Sequence, residues 1–132
     1  MFGARVAIVG LSTVLMVGCS PMAREVSGPF YVMYVADSNE RALFRCPDGP
    51  NEGCAIDGLP GPDVFAAGGN ATYIVVARHR AGRDEYFYFR RVAEERRGWG
   101  DNPEVIVGPL RKPEFDTASK QLELPALIDF SR

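Results

Sequence analysis

The cysteines are the residues whose type and position indicate chemistry, and Cys19 carries the clearest signal. It follows a short, positively charged start at residues 1–5 and an uncharged, mainly apolar segment at residues 6–18, which ends on the small residue Gly18. These are the three parts of a secretory signal. The thiol at this point can take a lipid on its sulfur before a peptidase cuts the chain. We therefore expect residues 1–18 to be removed and Cys19 to become a lipid-modified N-terminus.

The apolar segment could instead be a transmembrane helix or a buried core helix. At about 1.5 Å per residue, residues 6–18 are well short of the roughly 30 Å hydrocarbon layer of a bilayer. A core helix would not normally end on Gly-Cys-Ser-Pro, and Pro21 suits a tether better than a helix. Residues 15–19, Leu-Met-Val-Gly-Cys, resemble the lipobox of bacterial lipoproteins. The resemblance implies a membrane anchor in the cell envelope, and Ser20 after the cysteine favours the outer membrane over the inner one.

The chain beyond the signal is long enough for one ordinary domain and too short for two. Residues 19–29 contain few large apolar side chains and are predicted to be a lipidated tether, which leaves residues 30–132 as a single small globular domain. The formal net charge is only −2 at pH 7. Nucleic acid is therefore not an expected partner, because its binding requires a basic surface.

Cys46 and Cys54 are predicted to form a disulfide. They flank a segment rich in proline and glycine, residues 47–53, which can turn the chain back on itself. If Cys19 carries a lipid, the other two cysteines form an even pair in an oxidising compartment. A zinc site is the alternative, but the spacing lacks the second Cys or His pair that such a site needs. No cofactor is expected.

The sequence predicts an α+β fold with an antiparallel sheet of about five or six strands and a C-terminal helix packed on it. Aromatic and β-branched runs separated by turn residues indicate the strands. In chain order these runs are residues 30–36, 41–46, 54–56, 64–66, 72–79, 85–92 and 105–107. Residues 72–79 and 85–92 form the strongest pattern, a hairpin connected by residues 80–84. Both of its faces are apolar near the middle, so we expect it to be covered on both sides.

The predicted helix begins near Pro113, a residue tolerated in a first turn. Acidic residues near its start and Lys120 near its end suit the helix dipole. Apolar residues at helical spacing would face the sheet, and they are Phe115, Ala118 and Leu122.

Catalysis has little support in this chain. His79 is the one histidine, and it ends a predicted strand between two arginines, so we interpret it as a strand-end side chain. Glu94 and Glu95 adjoin Arg96 and Arg97 and indicate a solvated turn instead of an acid/base pair. The sequence therefore predicts no enzyme and no metal site.

Arginines outnumber acidic residues between residues 78 and 97 and alternate with aromatic residues. This pattern could form a patch for anions or lipid headgroups. The candidate residues are Arg78, Arg80, Arg90 and Arg91. Alternatively, the arginines keep an exposed hairpin soluble and discourage pairing between sheet edges. Trp99 could anchor a partner or pack over the sheet.

Two resemblances concern function. The runs at residues 73–78, 85–89 and 107–110, with Glu114 and Phe115, resemble a family of small bacterial proteins, many of them lipoproteins, and imply a sheet-plus-helix domain with no assigned activity. Residues 27–31, Ser-Gly-Pro-Phe-Tyr, resemble the inhibitory loop of periplasmic lysozyme-inhibitor lipoproteins. We expect a non-enzymatic interaction module, attached to the membrane by its lipid and binding an unknown protein or envelope partner. The alternative is an inhibitor of a cell-wall hydrolase such as lysozyme.

Overall fold

The computed structural model describes Gly3, residues 23–93 and residues 104–130. Within them lie eight antiparallel strands and one helix, so the predicted α+β class is confirmed. The strands are Ala23–Ser27 (β1), Phe30–Tyr34 (β2), Arg41–Arg45 (β3), Val64–Gly69 (β4), Tyr73–Arg80 (β5), Arg83–Arg90 (β6), Val107–Leu110 (β7) and Ile128–Asp129 (β8). The helix is Lys112–Leu122 (α1).

The strands are divided between two sheets, where the sequence predicts one. A three-stranded sheet has the order β1-β2-β3, and a five-stranded sheet has the order β7-β6-β5-β4-β8. The segment between β3 and β4 is rich in proline and glycine and forms no strand. It pairs at an isolated bridge between Arg45 and Ala55 and, just before β4, through two backbone hydrogen bonds between Asp63 and His79. Such a segment ends one sheet and lets the chain pass into a second layer.

The hairpin of β5 and β6 is the centre of the larger sheet. Its register runs from Tyr73 opposite Arg90 to Arg80 opposite Arg83. The connection is therefore two residues long, shorter than the predicted residues 80–84. Ala81 and Gly82 both have positive φ, 52° and 74°. This geometry belongs to the tight turns whose twist matches that of antiparallel strands, which is why the pairing continues to the turn.

Both faces of this hairpin are buried, as the sequence predicts. On one face Ile74, Val76, Phe87 and Phe89 pack against the three-stranded sheet. On the other face Val75, Ala77 and Tyr86 pack in a second cluster that includes Phe115 of α1. The molecule thus has three layers, with the five-stranded sheet in the middle.

Helix α1 has the predicted end signals. Glu114 Oε1 accepts a hydrogen bond from the backbone N–H of Arg111 at 3.3 Å. Lys112 donates to Asp116 at 2.7 Å, and this hydrogen bond raises the pKa of Lys112. Only part of the predicted apolar stripe of the helix is buried. Phe115 is buried, but Leu122 is 37% exposed.

The helix ends where Glu123 takes a left-handed conformation with φ 52°. The chain then turns back, and Leu124 and Leu127 complete the helix-side cluster. Leu122 is therefore replaced in this role by residues beyond the helix.

Two boundaries differ from the sequence prediction. The segment predicted as a tether, residues 19–29, contains β1, because Ala23–Ser27 pair with β2 and Val26 packs on the core. Among the described residues, the folded unit therefore already includes Ala23–Ser27. The last predicted strand is displaced from residues 105–107 to Val107–Leu110, because that segment pairs with β6, while Val105 is 81% exposed.

Arg45 and Glu104 form an ion pair in the interior. Their Nη1 and Oε2 atoms are 4.0 Å apart, and the side chains are 3% and 0% exposed. Removing two charges from water is costly, and the attraction between these two charges offsets part of that cost. In β3, Arg45 lies on the same face as buried Leu43. Strand alternation was therefore the one sequence signal that the side chain of Arg45 would be buried.

We predict that Glu104→Ala lowers the free energy of unfolding by about 3–5 kcal/mol, because it leaves the guanidinium of Arg45 buried without this partner. The double variant Arg45→Met with Glu104→Leu should lose less. Urea denaturation measures both values. As a control, Asp116→Ala removes an exposed ion pair and should cost less than about 0.5 kcal/mol. A double variant that loses as much stability as Glu104→Ala, or more, would contradict the coupling.

Tyr86 provides a prediction at alkaline pH. Burial raises the pKa of its hydroxyl above the ordinary value of 10.0; Asp84 and Asp116 add to the rise, and Lys112 opposes it. The folded state therefore disfavours the ionised form. The free energy of unfolding should fall as the pH rises from 10.0 towards the folded pKa. Denaturation of Tyr86→Phe across this pH range should show a smaller fall in the free energy of unfolding. A fall as steep as that of the wild type would contradict Tyr86 as its cause.

Candidate functional site

A groove lies on the face of the three-stranded sheet that points away from the five-stranded sheet. We call it the outer groove, and it has a volume of about 540 Å³. Its lining residues are Ala23, Met33, Tyr34, Ala36, Phe44, Pro50 and Asn51. They come from all three strands of the small sheet, from the turn after β2 and from the loop after β3.

The floor of the outer groove follows from strand alternation. Phe30, Val32 and Leu43 enter the core between the sheets. Their neighbours Met33 and Phe44 therefore point to the opposite face. Ala23 is paired with Met33 across the β1–β2 ladder, so the first residue of β1 lies beside the floor. No second sheet or helix of the described chain covers this face.

The disulfide positions one wall of the outer groove. Cys46 and Cys54 are bonded, as predicted from the sequence, with their Cα atoms 4.3 Å apart. Beside the bond, the backbones of Arg45 and Ala55 exchange two hydrogen bonds of 2.8 and 2.9 Å. The loop between the cysteines is thus closed at its base and carries Pro50 and Asn51 to the groove.

The lining is suited to binding an apolar group. The side chains on this face, those of Met33, Phe44 and Pro50, are hydrocarbon apart from a thioether sulfur, and Asn51 adds an amide. Tyr34 lies at the rim, with its ring on the opposite face beside Arg41. A concave, mainly apolar surface with few polar groups is typical of binding sites. General acid/base catalysis needs a titratable group that works near neutral pH, and none of the lining side chains supplies one.

Exposed acidic residues lie in two of the segments that line this apolar surface. The turn that follows β2 contains Asp37 and Glu40, and the disulfide loop contains Asp48 and Glu52. Neither segment contains a lysine or arginine. These two sides of the outer groove therefore carry negative charge.

The structure does not bring the four candidate arginines together. Arg78 and Arg80 lie near the turn of the hairpin, whereas Arg90 is opposite Tyr73 at the other end and Arg91 follows it. At about 3.3 Å per residue, the two ends of β5 are roughly 23 Å apart. An anion large enough to contact all four would have to span the hairpin.

Two of these arginines are engaged within the protein. Arg78 is 9% exposed; its Nε donates to Glu85 at 3.0 Å, and its guanidinium is 4.7 Å from the centre of the Phe87 ring. Arg91 donates to the hydroxyl of Ser27 at 2.6 Å and to the carbonyl of Asn70 at 2.9 Å. Arg80 and Arg90 are exposed. The described contacts thus give Arg78 and Arg91 structural roles.

His79 lies near the end of β5, as the sequence predicts. Its ring stacks on Phe65, with 4.1 Å between the ring centres, and its Nδ1 pairs with the carboxylate of Asp84. The side chain is 55% exposed and lies outside the outer groove. The acid pair at residues 94 and 95, Trp99 and Cys19 are all outside the described residues.

The turn that resembles a lysozyme-inhibitory loop is held tightly. Gly28, with φ 59°, and Pro29 connect β1 to β2. Pro29 and Phe30 are buried. Ser27 is fixed by its hydrogen bond from Arg91, and Tyr31 is half-buried within β2. The turn therefore offers little side-chain surface that could enter an enzyme cleft.

Two further findings apply to residues 23–93 and 104–130. No three His, Cys, Asp or Glu side chains among them are grouped in a way that could hold a metal ion. Their one helix, α1, is too short and too polar to cross a bilayer.

We predict that replacing both cysteines, in Cys46→Ala with Cys54→Ala, lowers the free energy of unfolding by about 2–3 kcal/mol, because the unfolded chain is no longer constrained by the closed loop. Hydrogen exchange should also become faster at residues 47–53 than at β5. Denaturation and exchange of the oxidised wild type serve as the reference. Unchanged exchange in the loop would show that backbone contacts alone hold this wall of the outer groove.

The outer groove, at about 540 Å³, is larger than the two grooves beside Arg83, which have about 340 and 170 Å³. No protein-family model matches this sequence, and comparisons with curated proteins and with solved structures gave no significant match. The likeness of the second half of the chain to small bacterial proteins stays a prediction.

Proposed function

We propose that this chain is a lipid-anchored, non-enzymatic protein of the cell envelope, and that its domain is an interaction module on the periplasmic face of the outer membrane. The observation that carries the proposal is the short separation between Cys19 and the folded domain. Strand β1 begins at Ala23, four positions after the cysteine. At no more than about 3.5 Å per residue, the connection spans at most about 14 Å.

A connection of this length suits a domain that acts at a membrane surface. A lipid on Cys19 would hold β1 within this distance of the headgroups, whereas a long linker would let the domain search away from the bilayer. Partners would then be other envelope components near the membrane, either proteins or polymers.

The disulfide supports an oxidising compartment. Stable disulfides are typical of the periplasm and extracellular space and are rare in the cytosol. The bond between Cys46 and Cys54 therefore agrees with export through the segment before Cys19.

The apolar lining of the outer groove supports a binding role over a catalytic one. The described part of the chain has one histidine, and it pairs with Asp84 on an exposed strand end, away from the groove. The exposed groups of the groove can bind and orient a partner, but they offer no proton acceptor matched to neutral pH.

Inhibition of a cell-wall hydrolase is not our preferred function. An inhibitory loop needs exposed side chains that enter the enzyme, and here Pro29 and Phe30 are buried while Ser27 is bound by Arg91. The sequence likeness at residues 27–31 is therefore better explained by the tight turn between β1 and β2.

We predict that Cys19→Ser abolishes incorporation of an alkynyl palmitate analogue in cells and moves the protein from the membrane fraction to the soluble fraction, because a hydroxyl cannot form the thioether. Click labelling and fractionation measure the two effects. The control, Cys46→Ser with Cys54→Ser, also removes thiols and should keep the label. A Cys19→Ser protein that stays labelled and membrane-bound would contradict the proposed lipid anchor.

A further inference from the structure

We propose that the outer groove docks on the boundary between headgroups and acyl chains of the bilayer to which the protein is anchored. The domain would then rest on the membrane through the exposed face of its three-stranded sheet. This inference depends on the proposed lipid on Cys19, and it adds the orientation of the domain and the surface that contacts phospholipid.

The length and attachment point of the anchor favour this orientation. Ala23 is both the first residue of β1 and part of the groove lining. The connection from Cys19 reaches at most about 14 Å, less than the thickness of the molecule, whose three layers are spaced about 10 Å apart. The side of the domain that carries Ala23 must therefore stay near the bilayer. Helix α1 lies in the layer farthest from β1.

The side chains of the outer groove suit a membrane interface. Met33 and Phe44 present flexible and aromatic apolar surface in the outer groove. An apolar face without another protein layer gains from contact with lipid, because that contact removes it from water.

The charges near the groove indicate the headgroup charge of the lipid that it would contact. The exposed acids Asp37, Glu40, Asp48 and Glu52 would be repelled by anionic headgroups. The contact should therefore be apolar and strongest on zwitterionic phospholipid. An arginine patch would behave in the opposite way, because anionic lipid would strengthen its binding.

A tryptophan scan on the lipidated, full-length protein tests this orientation. Trp99 is the one tryptophan of the chain, so Trp99→Phe provides a silent background. Phe44→Trp then reports on the groove, and Leu122→Trp, at the end of α1, is the control. Leu122 is 37% exposed and Phe44 is half-buried, so the control position is at least as accessible to lipid. Each protein is reconstituted into phosphatidylcholine vesicles with ordinary or brominated acyl chains, and flotation verifies anchoring.

We expect Phe44→Trp to be blue-shifted on vesicles and strongly quenched by brominated chains, while Leu122→Trp changes little. Partial replacement with phosphatidylglycerol should weaken the quenching at Phe44→Trp. Met33→Trp is the second reporter if Phe44→Trp does not fold.

The alternative outcomes separate the two proposals. A protein that floats but shows no quenching at the groove retains the anchor and overturns the docking. A blue shift without quenching means that protein, such as a second copy, covers the groove, and this also overturns the docking. A protein that does not float with vesicles contradicts the anchor and the docking that depends on it.

Discussion

The fold depends on removing both faces of one hairpin from water. Strands β5 and β6 carry large apolar side chains on each side, and no single partner layer could cover both. Burial of apolar area is the dominant favourable term in folding, so the hairpin requires a layer above and a layer below. The three-stranded sheet covers one face, and α1 with the segment after it covers the other. The positions of most other elements follow from this requirement.

The outer groove is a consequence of the same arrangement. The three-stranded sheet gives one face to the hairpin, through Phe30, Val32 and Leu43, and its opposite face has no covering layer in the described chain. Met33 and Phe44 are thereby left at the surface. The disulfide loop adds a wall, so the site combines strand alternation with one covalent constraint. A face of this kind is well placed for binding, because its floor is rigid and its lining is apolar.

Two groups of charged residues differ in their position, ion pairs in or near the core and exposed acids near the outer groove. Arg45 with Glu104 and Arg78 with Glu85 are ion pairs within or at the edge of the core. Buried pairs of this kind restrict how the layers can fit together, because a misfit leaves a charge unpaired. The acids around the outer groove, in contrast, are exposed and remain available to influence what approaches it.

The sequence by itself was sufficient for several local elements. Alternation predicts β2, β3 and the central hairpin; Pro113 and the flanking charges predict α1; and the spacing and setting of Cys46 and Cys54 predict their disulfide. These signals repeat every two or 3.6 residues, or lie within one loop, so a short window contains them. The tertiary structure alone decided the division into two sheets, the pairing of β1 within the expected tether, the burial of Arg45 against Glu104 and the separation of the arginines. Each of these features depends on contacts between residues far apart in the chain. A local sequence pattern does not contain the free energy of such contacts.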